Sequence, residues 1–325
     1  MSTGPAADLP LSWPARLLLA AFGVVLALAA GETALRIAHF RFDLVPTLEF
    51  GWPDPVAMRD AYTGDPDLVW VTRTYHATLR EARRTRPAIV FMGDSCTEFG
   101  NYPTMTIADL EQAGSPLAHG AKLGVGGWST AQGLEQLRRD VIPLHPSVVT
   151  IYYGWNDHWI AMGLTDPEIM RTGRLRAAAE HLRLAQLWLK MEVGVASRRT
   201  PAPNRVPLPE YEANLQQMAK DAQAAGITPV FITAPSNHVQ GHEPAYLAKR
   251  HVRSLAELVP LHTAYVQATR SVAATAHAPL CDAAAAFAAL PEPHDRYFQK
   301  DGIHLTAAGD GEMATILSTC LTQIK

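Results

Sequence analysis

Short apolar runs alternate with amphipathic stretches from residue 87 to the C-terminus. The runs typical of strands are 88–92 (AIVFM), 118–125, 147–153, 228–233 and 279–281. Stretches with apolar residues at helical spacing lie between and after them, at 104–113, 130–139, 211–225, 245–258, 262–276 and 307–321. Strands that alternate with helices form a parallel sheet covered by helices on both faces. The pattern predicts one α/β domain over 87–325, with its site beyond the carboxyl ends of the strands.

Two segments depart from this alternation. Residues 41–86 are rich in Pro, Asp and aromatic residues, which predicts a connector packed along the domain with one short strand at 68–72. Residues 166–209 form an insertion, in which 166–195 is predicted as one long helix and 205–209 as a proline-rich joint. That helix either covers the sheet or serves as a lid or acceptor-binding element.

The first forty residues contain an unbroken apolar run from Leu17 to Ala30. The run can be extended to Ile37 if Glu32 and Arg36 lie near the membrane interface, so we expect a retained membrane anchor over 1–40. A cleaved signal peptide, with Ala27-Leu28-Ala29 as its cleavage signature, is the first alternative, and a buried core helix is the second. The charges that flank the run do not decide the orientation. We expect the catalytic domain outside the cytoplasm, in the periplasm, or secreted if the segment is cleaved.

Charge and cysteine content exclude some classes of protein. A net charge of −3 and an isoelectric point near 6.5 argue against nucleic-acid binding. Cys96, Cys281 and Cys320 show no CxxC spacing, so neither a disulfide framework nor a zinc site is expected. His238, His242 and His251 likewise lack metal-ligand spacing. Cys96 is expected to be a small buried apolar side chain.

Residues suited to acyl transfer follow the predicted strands. They are Gly93-Asp94-Ser95 after the first, Gly124, Gly126 and Gly127 after the second, Gly154-Trp155-Asn156-Asp157 after the third, and Asp301-Gly302-Ile303-His304 before the last helix. In such a site a serine attacks the acyl carbon, a histidine takes its proton, and an aspartate orients the histidine. We therefore predict Ser95, His304 and Asp301 as the triad. The amides of Ser95 and Gly127 and the side chain of Asn156 are predicted to bind the oxyanion.

These motifs resemble those of the SGNH, or GDSL-like, hydrolases. Residues 89–95 (IVFMGDS) are similar to that family's nucleophile block, 154–157 (GWND) to its G-x-N-D block, and 301–304 (DGIH) to its D-x-x-H block. The glycine block at 122–127 is less distinct, with Lys122 where many relatives have Asn. The resemblance covers 85–325. It implies a flavodoxin-like three-layer sandwich with strand order 2-1-3-4-5 and neither metal nor organic cofactor.

The resemblance implies the chemistry without naming the substrate. Membrane-anchored relatives with this layout resemble proteins that modify extracellular polysaccharides. We therefore expect an esterase that removes O-acyl groups, acetyl above all, from a carbohydrate or small ester. An O-acetyltransferase working beside a membrane-bound acyltransferase is the alternative, and a lipase or thioesterase is a lesser one. A non-catalytic binding or scaffold protein is disfavoured because all the required catalytic roles are filled.

Four further residues are candidates for substrate contact: Asp94, Trp128, Trp155 and His158. Aromatic side chains near the predicted pocket can stack on sugar rings, although packing in the core explains them equally well. His158 is expected in the pocket wall rather than as a second base.

Overall fold

The structure of this chain, a computed structural model, describes residues 12–42, 60–161, 163–173, 175, 179, 181–249 and 251–324. The strands are β1 Tyr62–Asp65, β2 Val69–Thr72, β3 Ile89–Gly93, β4 Gly120–Lys122, β5 Val148–Tyr152, β6 Thr228–Ile232 and β7 Leu280–Cys281. The helices considered below are α1 Trp13–Ile37, α2 Tyr75–Thr85, α3 Ser95–Phe99, α4 Tyr102–Gln112, α5 Thr130–Gln136, α6 Asp166–Arg171, α7 Arg183–Ala196, α8 Leu208–Ala224, α9 Leu258–Thr275, α10 Ala283–Ala288 and α11 Ala307–Leu321.

The main sheet has five parallel strands in the order β4-β3-β5-β6-β7. In order of appearance this is 2-1-3-4-5, so the predicted α/β sandwich is confirmed. Successive side chains of β3 point to opposite faces. Val90 and Met92 pack with α2, α8 and α9 on one face, while Ile89 and Phe91 pack with α4 and α11 on the other. Burial on both faces explains why these strands are continuously apolar.

The segment before the sheet is more than a connector. β1 and β2 form an antiparallel hairpin, and α2 follows it. Trp70, Tyr75 and Leu79 are buried in the same core as the sheet. The short strand predicted at 68–72 is present, but it pairs with β1, and its side chains belong to the interior of the domain. Residues 43–59 of the predicted connector lie outside the described residues.

Two predicted helices are wrong in extent. The stretch 166–195 is not one helix, because α6 ends before Thr172 and α7 begins at Arg183. The stretch 245–258 forms two 3₁₀ turns, Ala245–Lys249 and Leu255–Glu257. Ser254 begins the second turn with a capping box to Glu257, which starts a new element where the periodicity suggested a continuous one.

The N-terminal helix α1 has no buried residue. Among the described helices it is the one long and apolar enough to cross a membrane. Its position near the N-terminus suits a signal sequence as well as an anchor. The expectation of a buried core helix is wrong, since the helix is exposed over its apolar length.

Cysteine usage also differs from expectation. Cys281, at the end of β7, forms a disulfide with Cys320 of α11, 39 residues further along the chain. The two residues meet because α11 packs against β7, a proximity that cysteine spacing does not reveal. Cys96 is free and buried, as expected.

Candidate active site

Ser95 lies directly beyond the carboxyl end of β3. The preceding residue, Asp94, caps α3 by accepting a hydrogen bond from the Cys96 N–H at 2.9 Å. Ser95 is therefore the first residue of a helix, where backbone N–H groups have no acceptor within the helix. Its side chain is half-buried at the rim of the sheet.

A tight loop presents His304 to this serine. Asp301 Oδ1 accepts from the N–H groups of Ile303 and His304 at 2.9 and 3.0 Å, and its Oδ2 lies 2.6 Å from His304 Nδ1. Gly302 adopts a φ of +71°, which favours glycine and allows the chain to turn between the two side chains. His304 Nε2 lies 2.9 Å from Ser95 Oγ. The three side chains thus form one continuous hydrogen-bonded row.

The electrostatics of this row suit proton transfer. Burial raises the pKa of Asp301, but hydrogen bonds from His304 and from the two backbone amides outweigh it, so the pKa is lowered. Burial lowers the pKa of His304, yet the hydrogen bond and charge of Asp301, with a smaller contribution from Asp94, raise it above the ordinary value of histidine. A carboxylate that stays ionised beside such a histidine stabilises the imidazolium formed when the serine loses its proton.

Gly127 and Asn156, the other two predicted oxyanion donors, lie in the loops that follow β4 and β5. Asn156 Nδ2 donates to Asp94 Oδ2 at 3.2 Å, which ties this amide to the residue before Ser95. Gly127 has a φ of +77° in the loop after β4, again a conformation that favours glycine. The two residues share one partner, Arg205, which donates to both of them.

Arg205 is a residue that sequence reasoning missed. It is 6% exposed and donates to Gly127 O at 2.6 Å and to Asn156 Oδ1 at 3.4 Å. Its charge is balanced by Asp166, 1% exposed, with Nη2 to Oδ2 at 2.7 Å. An arginine presents several donors in a fixed planar arrangement, so one side chain can hold both groups. In the sequence, Arg205 is marked only as the first residue of the proline-rich joint at 205–209.

The hairpin β1–β2 braces the glycine loop from the other direction. Trp70 Nε1 donates to Gly126 O at 3.0 Å. The Gly126 N–H donates to Glu98 Oε2, which also accepts from the Tyr62 hydroxyl at 2.8 Å. These contacts leave little freedom to the peptide groups that precede Gly127. They too were not predicted, because the partners are far apart in sequence.

The four candidates for substrate contact are all buried. Trp128 is fully buried and donates from Nε1 to Trp70 O, so it belongs to the core. His158 is fully buried as well, and Asp94 and Trp155 are 1% and 2% exposed. Side chains this enclosed do not reach a ligand in the cleft, which argues against the predicted role. Asp94 instead supports Asn156 and α3, and burial raises its pKa to about 6.

Trp155 and His158 form a buried cluster behind the Asp301 loop. Trp155 stacks on His262, with ring centroids 3.9 Å apart, and His262 Nδ1 lies 3.2 Å from His158 Nε2. Trp155 also contacts the edge of His238, whose Nε2 donates to Asp301 O at 2.7 Å. The cluster therefore supports the backbone of the loop that carries Asp301 and His304.

Cys96 does not compete with Ser95 as a nucleophile. It is 5% exposed, and burial raises its pKa well above the ordinary value of a thiol. The reactive form of cysteine is the thiolate, which this environment disfavours. Within the described residues, no group of three or more His, Cys, Asp or Glu side chains could hold a metal ion.

Two surface features adjoin the site. Phe99, 53% exposed, lies with its ring centroid 6.0 Å from that of His304. A cavity of about 340 Å³ is lined by Asn237, Val239, His242, Glu292, Pro293, His294 and Asp295. It adjoins the loop of Asp301 and His304, because the Asn237 N–H donates to Gly302 O at 3.0 Å.

Comparison with known proteins identifies the family. Residues 91–311 match the GDSL-like Lipase/Acylhydrolase family. The sequence matches no curated protein. A GDSL-like lipase from Parabacteroides merdae is similar in structure, with a TM-score of 0.50 and 17% identity over 73% of this chain and 96% of that one. The lipase/acylhydrolase from Enterococcus faecalis has a TM-score of 0.48 and 17% identity, over 72% and 94% of the two chains.

The matched region runs from β3 into α11 and contains all three parts of the hydrogen-bonded row, Ser95, Asp301 and His304. It covers more than half of the chain. The chain therefore belongs to the GDSL-like lipase/acylhydrolase family and is an enzyme of the acyl-hydrolase class.

Proposed function

We propose that this protein is a serine esterase that removes O-acyl groups, acetyl above all, from a carbohydrate, and that α1 holds it at the outer face of a membrane. The observation that carries the proposal is the row from Asp301 Oδ2 through His304 to Ser95 Oγ, with distances of 2.6 and 2.9 Å. These are hydrogen-bond distances for a general base and its nucleophile.

In the proposed first half-reaction, Ser95 Oγ bonds to the acyl carbon as its proton passes to His304 Nε2. Asp301 remains ionised and stabilises the imidazolium. The tetrahedral intermediate collapses, the C–O bond to the sugar breaks, and the sugar oxygen takes the proton from His304. An acyl group is left on Ser95.

In the second half-reaction, His304 removes a proton from water, and the resulting hydroxide attacks the acyl carbon. The intermediate collapses, Ser95 Oγ regains the proton from His304, and the carboxylic acid leaves. In both halves the oxyanion is bound by the amides of Ser95 and Gly127 and by Asn156 Nδ2. Each such donor contributes about 3 kcal/mol to the stability of the transition state.

The surroundings of the site favour a polar substrate. The cavity beside Gly302 is lined mostly by amide, carboxylate and imidazole side chains, which can hydrogen-bond sugar hydroxyls. Phe99 offers an exposed aromatic face next to His304, suited to packing against a sugar ring or a short acyl group. A long acyl chain would require a more apolar cavity.

Two observations support a location outside the cytoplasm. Helix α1 is apolar and exposed, as a membrane anchor requires. The disulfide between Cys281 and Cys320 is typical of an oxidising compartment. Its presence agrees with a periplasmic or otherwise extracytoplasmic catalytic domain.

The activity is tested by mass analysis of the products formed from an acetylated oligosaccharide, with and without an unacetylated acceptor sugar. Free acetate in both reactions, absent with Ser95→Ala, supports the esterase. Acetyl groups that appear on the acceptor would instead indicate an O-acetyltransferase, in which a sugar hydroxyl replaces water in the second half-reaction. If neither free acetate nor acetylated acceptor forms, the proposed substrate class is wrong.

The location is tested by fractionating cells that make the full-length protein and treating intact and opened cells with protease. We expect a membrane-bound protein whose catalytic domain is cleaved by the protease while the inner membrane is still intact. Protection until that membrane is opened would place the domain in the cytoplasm.

A further inference from the structure

Helix α7 carries an exposed apolar stripe, formed by Leu184, Trp188, Met191 and Val195. The spacing of four, three and four residues places these side chains on one face of a helix. Trp188, Met191 and Val195 are 56%, 58% and 69% exposed. The face with Ala185 and Leu189 is buried in a small cluster with Phe42 and Leu175. An exposed apolar row of this kind is typical of an interaction surface.

The same helix is attached to α1. Glu32 of α1 accepts from the N–H groups of Arg183 and Leu184 at 3.1 and 3.0 Å, and so caps the first turn of α7. Arg36 pairs with Glu32 at 2.7 Å and donates to His181 O. The charges that interrupt the apolar segment are thus used to join the two helices.

The stripe is continuous with the surface of α1. The position where a Cβ would stand on Gly31 is 3.4 Å from the Leu184 side chain, the first member of the stripe. Two further contacts follow α1, from Lys190 Nζ over the Phe40 ring at 5.4 Å and from the Phe42 N–H to Gln186 at 3.1 Å. Whatever surrounds the end of α1 therefore also lies against the stripe.

The charge around α7 favours a lipid surface as that partner. Residues 183–199 contain four Lys or Arg and one Glu, whereas the whole chain has a net charge of −3. Lys190 of α7 and Arg198, three residues after Val195, are exposed. Basic residues flanking an apolar face are typical of helices that lie in the interface of a bilayer with anionic lipids. Tryptophan is enriched at that depth as well.

We infer that α7 is an interfacial helix whose stripe rests in the surface of the bilayer that α1 enters. This inference rests on the membrane location in the proposed function. The insertion then has a defined purpose, since it holds the domain against the membrane along a second line of contact. Asp166, which pairs with Arg205, begins α6 in the same insertion.

The test places a spin label at Met191→Cys in the full-length protein, reconstituted in vesicles of equal parts phosphatidylcholine and phosphatidylglycerol. The free cysteine of the described chain, Cys96, is buried, so the introduced thiol is labelled selectively. Collision rates with oxygen, which concentrates in lipid, are compared with those of a water-soluble nickel chelate. The matched control is Gln216→Cys, on an exposed position of α8.

We expect the ratio of oxygen to nickel collision rates to lie above one at residue 191 and below one at residue 216. Adding Trp188→Glu and Val195→Glu should bring the ratio at 191 below one while α1 remains in the vesicle. A ratio below one at residue 191 in the otherwise unchanged protein would overturn the inference. It would do so whether the stripe faces water, binds another protein, or has left the membrane because α1 is cleaved. Hydrolysis of a soluble acetyl ester by the same labelled sample tests the esterase separately.

Discussion

The two sides of the active site are built in different ways. On the side of the proposed triad, Asp301 and His304 lie three residues apart and are joined by two hydrogen bonds, and Asp301 also accepts from the Ile303 N–H in the same loop. On the side of the proposed oxyanion donors, Gly127 and Asn156 are held by Arg205, which lies 78 and 49 residues away along the chain. The first side is a local motif that needs only a fold to bring it to Ser95. The second depends on a buried ion pair contributed by the insertion.

The largest effect is expected on the triad side. Ser95→Ala should lower kcat/KM for a simple acetyl ester by at least about a thousandfold, because the acyl-enzyme can no longer form. Steady-state kinetics and circular dichroism measure activity and folding together. The neighbouring Cys96→Ala is the control and should retain most activity. The reverse pattern would show that the nucleophile is Cys96.

Asp301→Asn is expected to cost about a hundredfold or more in kcat. In the unchanged enzyme, protonated His304 cannot accept the serine proton, so kcat/KM falls as the pH drops below its raised pKa. Without the Asp301 carboxylate, which raises the pKa of His304, that pKa falls because burial lowers it. The acidic limb of the pH profile then moves to lower pH. Asp67→Asn, which removes an exposed carboxylate between β1 and β2, should leave the limb unmoved. An unshifted limb in Asp301→Asn would contradict the assigned orientation of His304.

On the oxyanion side, the double variant Asp166→Leu with Arg205→Met removes the ion pair without leaving a buried charge unpaired. We expect kcat to fall about tenfold to a hundredfold with KM nearly unchanged, since the lost contacts position groups that act in the transition state. The control is Arg199→Met, which breaks the exposed pair with Glu168 in the same insertion and should have little effect. An unchanged kcat in the double variant would show that Arg205 does not position the groups of the site.

The smallest effect is expected from the hairpin. Tyr62→Phe deletes one hydrogen bond to Glu98, which receives the Gly126 N–H. Such a bond contributes about 1 kcal/mol, so kcat should fall by less than about fivefold. Thermal unfolding and kinetics of the variant are compared with those of Thr263→Val, which removes an exposed hydroxyl that hydrogen-bonds within α9. A loss as large as that of the Arg205 variant would make the hairpin, rather than the ion pair, the main support of the glycine loop.

Local patterns predicted the sheet, its strand order through the family resemblance, and helices such as α11, whose bounds agree with the predicted 307–321. They also placed Ser95, Asn156, Asp301 and His304 at the rim of the sheet. Such features can be predicted from the sequence because they depend on side-chain periodicity, on strand ends and on residues close together in the chain.

The tertiary structure alone decided which side chains are buried, and so removed Trp128 and His158 from the predicted substrate contacts. It also decided the pairing of Cys281 with Cys320, the contribution of the hairpin to the core, and the role of Arg205. Each of these depends on which distant segments pack together once the sheet has formed. The packing of whole elements sets the geometry of such contacts, so the spacing of the contacting residues in the sequence does not predict them.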